Sequence, residues 1–213
     1  MSNISNNALL IDVVGVGGAG VNIINNMVKN NLDNVNFIVV DTHEEAVTND
    51  TSVEKILLDK NILNEGEGNI KINNITEIVS KHFNNANVVF IITGLGGRTG
   101  SELTPFIVEC AKKSNAFVVA GVTIPFVFEG PSRKKKSLTS IENIRKFADK
   151  VFVLSNDELL QKVSPNVTMH EAFSKQNAVF MDMVNFVSKL ANVDEIKDGI
   201  NNFSHELLSD AYQ

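Results

Sequence analysis

The stretch that decides the fold is residues 9–28, which read LLIDVVGVGGAGVNIINNMV. The apolar run Leu9–Val16 leads into glycines, a pattern that is typical of a strand buried on both faces of a parallel sheet. Apolar residues at three-to-four spacing follow from Val21 to Val28 and predict an amphipathic helix. The next apolar run, Val35–Val40, completes a strand–helix–strand unit.

The same alternation continues along the chain. Further strands are predicted near Val53–Leu58, Val88–Thr93, Ala116–Ile124 and Val151–Leu154. Further helices are predicted near Ile75–Phe83, Ser101–Lys113, Ser137–Asp149, Thr168–Leu190 and Val193–Leu208. We therefore predict an α/β fold with a doubly wound, mostly parallel, Rossmann-like sheet, helices on both faces and ligands at the carboxyl ends of the strands.

Composition excludes several classes of protein and of partner. With 213 residues, 43% hydrophobic and 21% charged, the chain predicts one main core and excludes disordered, collagenous and coiled-coil proteins. A net charge of -6 gives no general attraction to nucleic acid, although Arg133–Lys136 is locally basic. The lone Cys110 and four histidines without ligand spacing predict no disulfide and no metal site.

The compartment and membrane predictions follow from the same features. A single cysteine favours a reducing cytoplasm. The polar start Met1–Asn7 has no basic segment, and the apolar run Ala8–Val16 is too short for a membrane span. We expect a cytoplasmic protein that does not insert directly into a membrane.

Residues 15–20 read GVGGAG, a G-x-G-x-x-G pattern between a strand and a helix. Glycines there allow phosphate to approach the backbone N–H groups at the helix start. Asp41, at the end of the next strand, stands where a dinucleotide-binding fold keeps its ribose-binding carboxylate. This loop alone favours an NAD site, with a simple packing turn as the alternative.

A second glycine loop, residues 94–101, reads GLGGRTGS and also joins a strand to a helix. Two such loops are one more than a dinucleotide fold requires. Three further segments, Thr123–Arg133, Ser155–Asp157 and Glu171–Phe173, complete a set of five ordered motifs. Together they resemble the nucleotide-binding domain of the tubulin/FtsZ family, with FtsZ the closer branch, from about Ala8 to Leu190.

In that family the second loop reads G-G-G-T-G-T-G, and the other segments read T-R-P-F-x-F-E-G-x-x-R, P-N-D and E-A-F. The resemblance implies that the chain binds GTP or GDP, with or without magnesium. Backbone N–H groups of both loops would hold the phosphates, Glu129 would accept from the ribose hydroxyls, and Arg133 would pair with phosphate. The implied nucleotide-binding residues are Gly17, Gly18, Ala19, Asn22, Gly96, Gly97, Arg98, Thr99, Gly100, Glu129, Arg133, Asn156 and Asn177.

Several residues depart from the family pattern. Arg98 and Glu102 replace glycines, so a loop that needs positive φ there would have changed shape. Arg98 either contacts phosphate or fills the phosphate space, and in the second case the protein binds no nucleotide. Asn177 stands for an aspartate that accepts from guanine, so guanine selectivity should fall. Asp41 and His43 replace the family's N-T-D residues.

We divide the chain into a nucleotide-binding domain, residues 1–190, and a short helical extension, residues 191–213. The family continues into a second domain, and its loop N-x-D-x-x-D promotes hydrolysis in the neighbouring subunit. Asn192–Asp194 is a faint match, which makes Asp194 a weak catalytic candidate and, alternatively, a helix cap. The apolar stripe of the extension either joins subunits or packs on its own sheet. It comprises Val193, Ile196, Ile200, Phe203 and Leu207.

The leading hypothesis is an FtsZ-like guanine-nucleotide-binding protein of the cytoskeletal or cell-division type. It would act through self-association or association with FtsZ-like subunits, with weak or absent hydrolysis and no nucleic-acid partner. One alternative is a nucleotide-independent assembly module or a partner that caps a full-length FtsZ. A remote alternative is an NAD-binding Rossmann protein.

Overall fold

The computed structural model describes residues 9–30, 32–44, 50–59, 62, 75–83, 85–162, 166–190 and 192–200. These residues form six strands: β1 (Ile11–Val16), β2 (Val35–Asp41), β3 (Val53–Leu57), β4 (Val88–Gly94), β5 (Phe117–Ile124) and β6 (Lys150–Ser155). Helices are α1 (Gly17–Met27), α2 (75–80), α3 (Arg98–Lys113), α4 (Pro131–Ile144), α5 (Asn156–Lys162), α6 (Met169–Ser188) and α7 (193–200).

The strands form one sheet in the order β3-β2-β1-β4-β5-β6, and every pair of neighbours is parallel. Helices cover both faces of the sheet. One buried cluster joins α1, α6 and α7 to the sheet through residues such as Ile24, Phe180 and Ile196. The other joins α2, α3 and α4 to the opposite face, for example through Val79 and Ile107. The predicted doubly wound α/β fold is therefore confirmed.

Two helices begin earlier than predicted, and one described helix was not predicted. Helix α3 begins at Arg98, three residues before the predicted start, and therefore includes part of the glycine loop. Helix α4 spans Pro131–Ile144 rather than Ser137–Asp149, because Pro131 occupies a first-turn position that suits its fixed φ and missing N–H. The short helix α5, Asn156–Lys162, was not predicted.

The apolar stripe of the extension packs back on the core over the part that the structure describes. Ile196 and Ile200 are buried in the same cluster as β1 and α6, with Val193 packed against it. Phe203 and Leu207 lie outside the described residues. The division of the chain at residue 190 stays a prediction.

Candidate functional site

The sheet order creates a crevice between β1 and β4. After β1 the sheet continues through β2 to the β3 edge, and after β4 it continues through β5 to the β6 edge. The loops that follow β1 and β4 therefore diverge at the carboxyl ends of these strands. A cavity of about 790 Å³ lies there. Its walls come from α1, from the loop after β4 and the start of α3, and from α6.

Two helix N-termini meet at one end of this cavity. Helix α1 begins at Gly17 and α3 at Arg98, and neither N-cap residue, Val16 or Gly97, supplies a side-chain hydrogen bond. A Cβ added to Gly17 would lie 3.2 Å from the backbone nitrogen of Gly100. Helix N-termini carry unpaired N–H groups and partial positive charge. This end of the cavity is therefore suited to an anion such as phosphate.

Gly96 holds the second loop in a conformation that other residues rarely adopt. Its φ is +96°, and a Cβ there would lie 2.9 Å from Cγ of Pro125. The Gly96 N–H donates to Oγ of Ser101 at 2.8 Å, which fastens the loop to the first turn of α3. Gly96 itself does not line the cavity; it shapes the turn behind it.

Arg98 and Glu102 both have a helical backbone. Both residues lie within α3, and in the described chain the non-glycine residues with positive φ are Asn34 and Asn115. The positive φ of the loop falls on Gly96 instead, so the larger side chains fit a helical backbone without strain. A change in the shape of this loop relative to the family therefore stays a prediction.

The side chains of Arg98 and Glu102 differ in orientation. Arg98 lines the cavity and is half-exposed, and its Nε lies 3.9 Å from Oε2 of Glu102. Glu102 is not among the cavity-lining residues, and its Oε1 accepts from Nζ of Lys136 on α4 at 2.6 Å. The carboxylate of Glu102 therefore reaches toward α4, and the guanidinium of Arg98 lies at the cavity wall.

Glu129 and Arg133 stand on a third side of the cavity. Nη1 of Arg133 donates to Oε2 of Glu129 at 2.5 Å, and the N–H of Phe126 donates to Oε1 of Glu129 at 2.9 Å. Glu129 lies in a short 3₁₀ turn and Arg133 in the first turn of α4, four residues later. The pair is preorganised, with a carboxylate and a guanidinium side by side at the wall.

Side-chain amides and one aromatic ring from α1, α5 and α6 also line the cavity. Asn22 and Asn177 come from α1 and α6, and Asn156 begins α5. Nε2 of the buried Gln176 donates to Oδ1 of Asn156 at 3.1 Å. Phe173 also lines this wall and packs edge-on against Phe126, with ring centroids 6.0 Å apart.

The structure brings all the predicted nucleotide-binding residues except Gly96 to the wall of one cavity. Their contact with a nucleotide stays a prediction. Sequence analysis missed a second group of lining residues, although a one-face helical spacing along α1 and α6 could have found most of them. They include Asn25, Asn26, His170, Phe173, Ser174 and Gln176.

Two other candidates lie elsewhere. Oδ1 of Asp41 accepts from the N–H groups of Thr42 at 2.6 Å and His43 at 3.1 Å, so this buried carboxylate stabilises its own turn. It does not line the cavity. Asp194 lies at the start of α7, is highly exposed and pairs with Nζ of Lys197 at 2.9 Å. It also lies outside the cavity wall.

Other chemistry is sparse in the described residues. No group of three or more His, Cys, Asp or Glu side chains there could hold a metal ion. Cys110 is buried, as expected for a packing residue, and burial raises the pKa of its thiol. None of the described helices combines the length and apolar character that a membrane span requires.

A model of the tubulin/FtsZ family GTPase domain matches residues 10–164, a range that contains both glycine loops and the Glu129–Arg133 pair. The chain belongs to the tubulin/FtsZ family. Its matched range ends before α6, so that helix and the amides it carries lie beyond the part that the family model describes.

Individual relatives agree with this assignment. The cell division protein FtsZ of Neisseria meningitidis serogroup A is 33% identical over 188 residues, which cover 85% of this chain and 48% of that protein. FtsZ 1 of Thermococcus kodakarensis is 36% identical over 188 residues, covering 84% and 50%. An empty FtsZ dimer from M. jannaschii superposes with a TM-score of 0.75 at 28% identity, covering 89% of this chain and 57% of that one. This FtsZ-family chain therefore spans about half the length of the curated relatives it matches.

Proposed function

We propose that this chain binds GTP or GDP in the cavity, and that nucleotide binding controls assembly with further subunits of the same family. A cytoplasmic protein of the cytoskeletal or cell-division type fits this activity. The observation that carries the proposal is the convergence of two helix N-termini without side-chain caps on one cavity that amide side chains and an aromatic ring also line.

The phosphate end would be formed by backbone and by cations. N–H groups from Gly17 to Ala19 and from Gly97 to Gly100 supply donors, and the guanidinium groups of Arg98 and Arg133 supply charge-assisted donors. Neither α1 nor α3 has an acidic residue in its first turn. The local field at this end therefore favours a polyanion even though the whole chain carries a charge of -6.

The rest of the cavity fits a nucleoside. Glu129 keeps acceptor capacity for ribose hydroxyls beside its bond to Arg133. Phe173 offers a ring on which a base can stack, and Asn22, Asn156 and Asn177 can pair with the edge of that base. The cavity of about 790 Å³ lies within the range of roughly 300–1,000 Å³ that small-molecule sites occupy.

We further propose that this chain by itself hydrolyses GTP slowly or not at all. Glu129 is the single carboxylate among the described residues of the cavity wall, and Arg133 and the Phe126 N–H already engage it. Asp194 is directed elsewhere, toward Lys197. A base positioned to activate water would therefore have to come from another subunit.

An exposed apolar patch beside the cavity supports assembly. Val127 and Phe128 are 62% and 75% exposed, and the Phe128 ring stacks on Phe126 with centroids 4.8 Å apart. Phe126 in turn contacts Phe173 of the cavity wall. We name Val127, Phe128 and Phe173 the mouth patch, and we propose that another subunit covers it.

Nucleotide titration of the purified chain tests the binding proposal. GTP and GDP should displace a fluorescent GDP analogue, and NAD should not compete. Binding of NAD alone would overturn the proposal. Release of phosphate from saturating GTP should stay near background; turnover at rates usual for GTPases would contradict slow hydrolysis.

Sedimentation tests the coupling to assembly. We expect more protein in the pellet with GTP than in nucleotide-free buffer. Equal pelleting in both buffers would favour a nucleotide-independent assembly module. Pelleting only after a full-length FtsZ is added would favour the capping role.

A further inference from the structure

A second cavity, of about 840 Å³, lies between α3 and α4. Oγ of Ser140, on α4, donates to the backbone oxygen of Ser101 at 2.9 Å and joins the two helices beside it. None of its described lining residues also lines the nucleotide cavity. We name this cavity the α3–α4 groove, and its wall includes Pro105, Phe106, Lys135, Lys136, Lys146 and Phe147.

The wall of the α3–α4 groove is mainly apolar. Pro105 and Phe106 come from α3, Phe147 follows α4, and Ile75 begins α2. Phe106 and Phe147 are only half-buried, so both rings keep apolar surface that a partner can cover. Burial of that surface would stabilise a complex.

The carboxylates at the groove are already neutralised. Glu102 and Glu109 line it from α3. Oε1 of Glu102 accepts from Nζ of Lys136 on α4 at 2.6 Å. Oε1 of Glu109 lies 2.7 Å from Nζ of Lys113, which is outside the groove. Neither carboxylate is therefore left to balance the other lysines of the wall.

Two lysines on the α4 side keep an uncompensated charge. Lys135 and Lys146 are exposed, and neither forms an ion pair with a described residue. Nζ of Lys146 donates to the neutral Oδ1 of Asn143 at 2.7 Å. Residues 133–146 hold six cations and one carboxylate, Glu142, in a chain whose net charge is -6. This side of an acidic protein therefore attracts carboxylates.

The shape of the groove suits a helix. Its lining residues run from Ser101 to Glu109 on α3 and from Ser132 to Asn143 on α4. At 1.5 Å per residue these stretches are about 12 Å and 17 Å long, or two to three helical turns. A groove of this length between two helices can hold a short amphipathic helix, whose apolar side chains recur every three to four residues.

We propose that the α3–α4 groove binds an acidic amphipathic helix of a partner protein. Apolar side chains of that helix cover Phe106 and Phe147, and its carboxylates pair with Lys135 and Lys146. The apolar contact supplies most of the affinity, while the solvent-exposed ion pairs orient the helix and select an acidic partner over a basic one. Binding needs no nucleotide, because the described walls of the groove and of the nucleotide cavity are separate.

Fluorescence anisotropy of a synthetic peptide mixed with the full chain tests the proposal. The probe is a fluorescein-labelled peptide of about 14 residues, with leucine at three-to-four spacing and glutamate beside each leucine. Its twin has lysine in place of every glutamate. The acidic peptide should bind at least tenfold more tightly than its twin, with an affinity that falls as salt is added. Equal binding of the two peptides, or no binding of the acidic one up to about 1 mM, would overturn the proposal.

Charge-reversed variants locate the site. Lys135→Glu combined with Lys146→Glu should weaken binding of the acidic peptide by at least tenfold, because two attractions become repulsions. Lys29→Glu combined with Lys55→Glu makes the same change in net charge at exposed positions outside the groove. This control should change the affinity by less than about twofold. An equal loss in both pairs would mean a general attraction by charge and would contradict a site in the groove.

Phe106→Ala tests the apolar contact. It removes a ring that the helix covers, so the acidic peptide should bind about tenfold more weakly. The Tm of the free chain shows whether this variant is folded, and the lysine variants decide the matter if it is not. A folded Phe106→Ala chain with full affinity would overturn the proposal.

Vesicles that contain phosphatidylglycerol distinguish a lipid surface from a protein helix. The chain should not sediment with these vesicles more than with phosphatidylcholine vesicles. Sedimentation with the anionic vesicles, together with failure to bind the acidic peptide, would mean that the basic surface meets lipid and would overturn the proposal.

Discussion

Arg98 is the charged side chain in the first turn of α3, so we expect it to affect phosphate binding there. It lines the cavity with a helical backbone, so a glycine at this position would relieve no positive-φ strain. We expect Arg98→Gly to weaken GTP binding by about tenfold or more, because a charge-assisted hydrogen bond of roughly 1.5–3 kcal/mol is lost. Fluorescence titration with GTP measures the change.

Arg145→Gly is the matched control for Arg98→Gly. Arg145 is exposed, follows α4 and does not line the cavity. Its replacement makes the same change in charge and should leave the affinity for GTP as it was. Tighter GTP binding in Arg98→Gly would show that the arginine blocks the phosphate space.

Gly96 is the residue of the second loop whose backbone conformation requires glycine. Its positive φ and the 2.9 Å approach to Cγ of Pro125 both oppose a side chain. Gly96→Ala should therefore lower the free energy of unfolding by about 1–3 kcal/mol, a fall in Tm of roughly 2–10 °C. Thermal unfolding followed by circular dichroism measures it.

Gly18→Ala provides the comparison for Gly96→Ala. A Cβ at Gly18 would meet nothing within 4 Å, and its φ is not positive. Alanine there should leave Tm unchanged or slightly raised. Similar Tm values for the two alanine variants would refute the role assigned to the backbone of Gly96.

At the residue scale the sequence located most of the candidate wall but could not say which glycines are obligatory. Arg98 shows why: the pattern of the loop places it at a glycine position, whereas its φ depends on where α3 begins. Asn25 and Phe173 were missed because helix positions that face a cavity look like ordinary amphipathic positions until α1 and α6 are placed side by side.

At the scale of elements, the amino ends of β1, β2 and β3 carry a polar cluster around the buried Asp12. Asp12 is buried, and Nδ2 of Asn36 donates to its Oδ1 at 3.0 Å. Nδ1 of His82, beyond α2, lies 2.6 Å from Oε1 of Glu54 on β3. Burial raises the pKa of Asp12 and Glu54 adds to the rise, while the Asn36 hydrogen bond and His82 oppose it.

This raised pKa predicts a pH-dependent effect of Asp12→Asn. Between the ordinary value of 3.8 and the raised pKa, the folded chain holds a proton that the unfolded chain has released, so the contribution of Asp12 to stability falls as pH rises. At pH 7 the buried charge is destabilising. Asp12→Asn keeps an acceptor for Asn36 and should raise Tm at pH 7, with a gain that shrinks as pH is lowered through the raised pKa.

Thermal unfolding of Asp12→Asn at a series of pH values from the ordinary value of 3.8 up to neutral checks this. Asp33→Asn is the control, since Asp33 is exposed and its replacement should change Tm little. A lower Tm for Asp12→Asn at pH 7 would mean that the carboxylate stabilises the folded state as a charged group.

The sequence predicts which segments form helices and strands better than it predicts the residues at which they begin and end. Continuous apolar runs such as β4 and β5 are buried on both faces, and this pattern located most of the described strands. β3 is the exception, because it reads VEKIL and is buried only at Val53 and Ile56. The start of α4 was misplaced because its first turn is polar and basic, so the apolar period begins only later in the helix. The packing of α7 could not be decided from sequence, because one apolar stripe serves a core and an interface equally well.

At the scale of the whole molecule, the mouth patch links the cavity to the outside. Phe173 belongs to the cavity wall and contacts Phe126, whose ring stacks on the exposed Phe128. The N–H of Val127 donates to the Asp157 carboxylate at 3.1 Å, which fixes this turn against α5. A ligand that orders Phe173 would therefore also order the surface on which we propose that the next subunit packs.

Phe128→Ser tests that surface. Removing a ring that a partner would bury costs about 2–3 kcal/mol per contact, so nucleotide-dependent pelleting should require at least tenfold more protein. Affinity for GTP in dilute solution should not change, because Phe128 does not line the cavity. Leu138→Ser, at a 49% exposed position on α4, is the control and should pellet like the unaltered chain. If Phe128→Ser pellets normally while Leu138→Ser does not, the subunits meet through the α4 side of the molecule and not through the mouth patch.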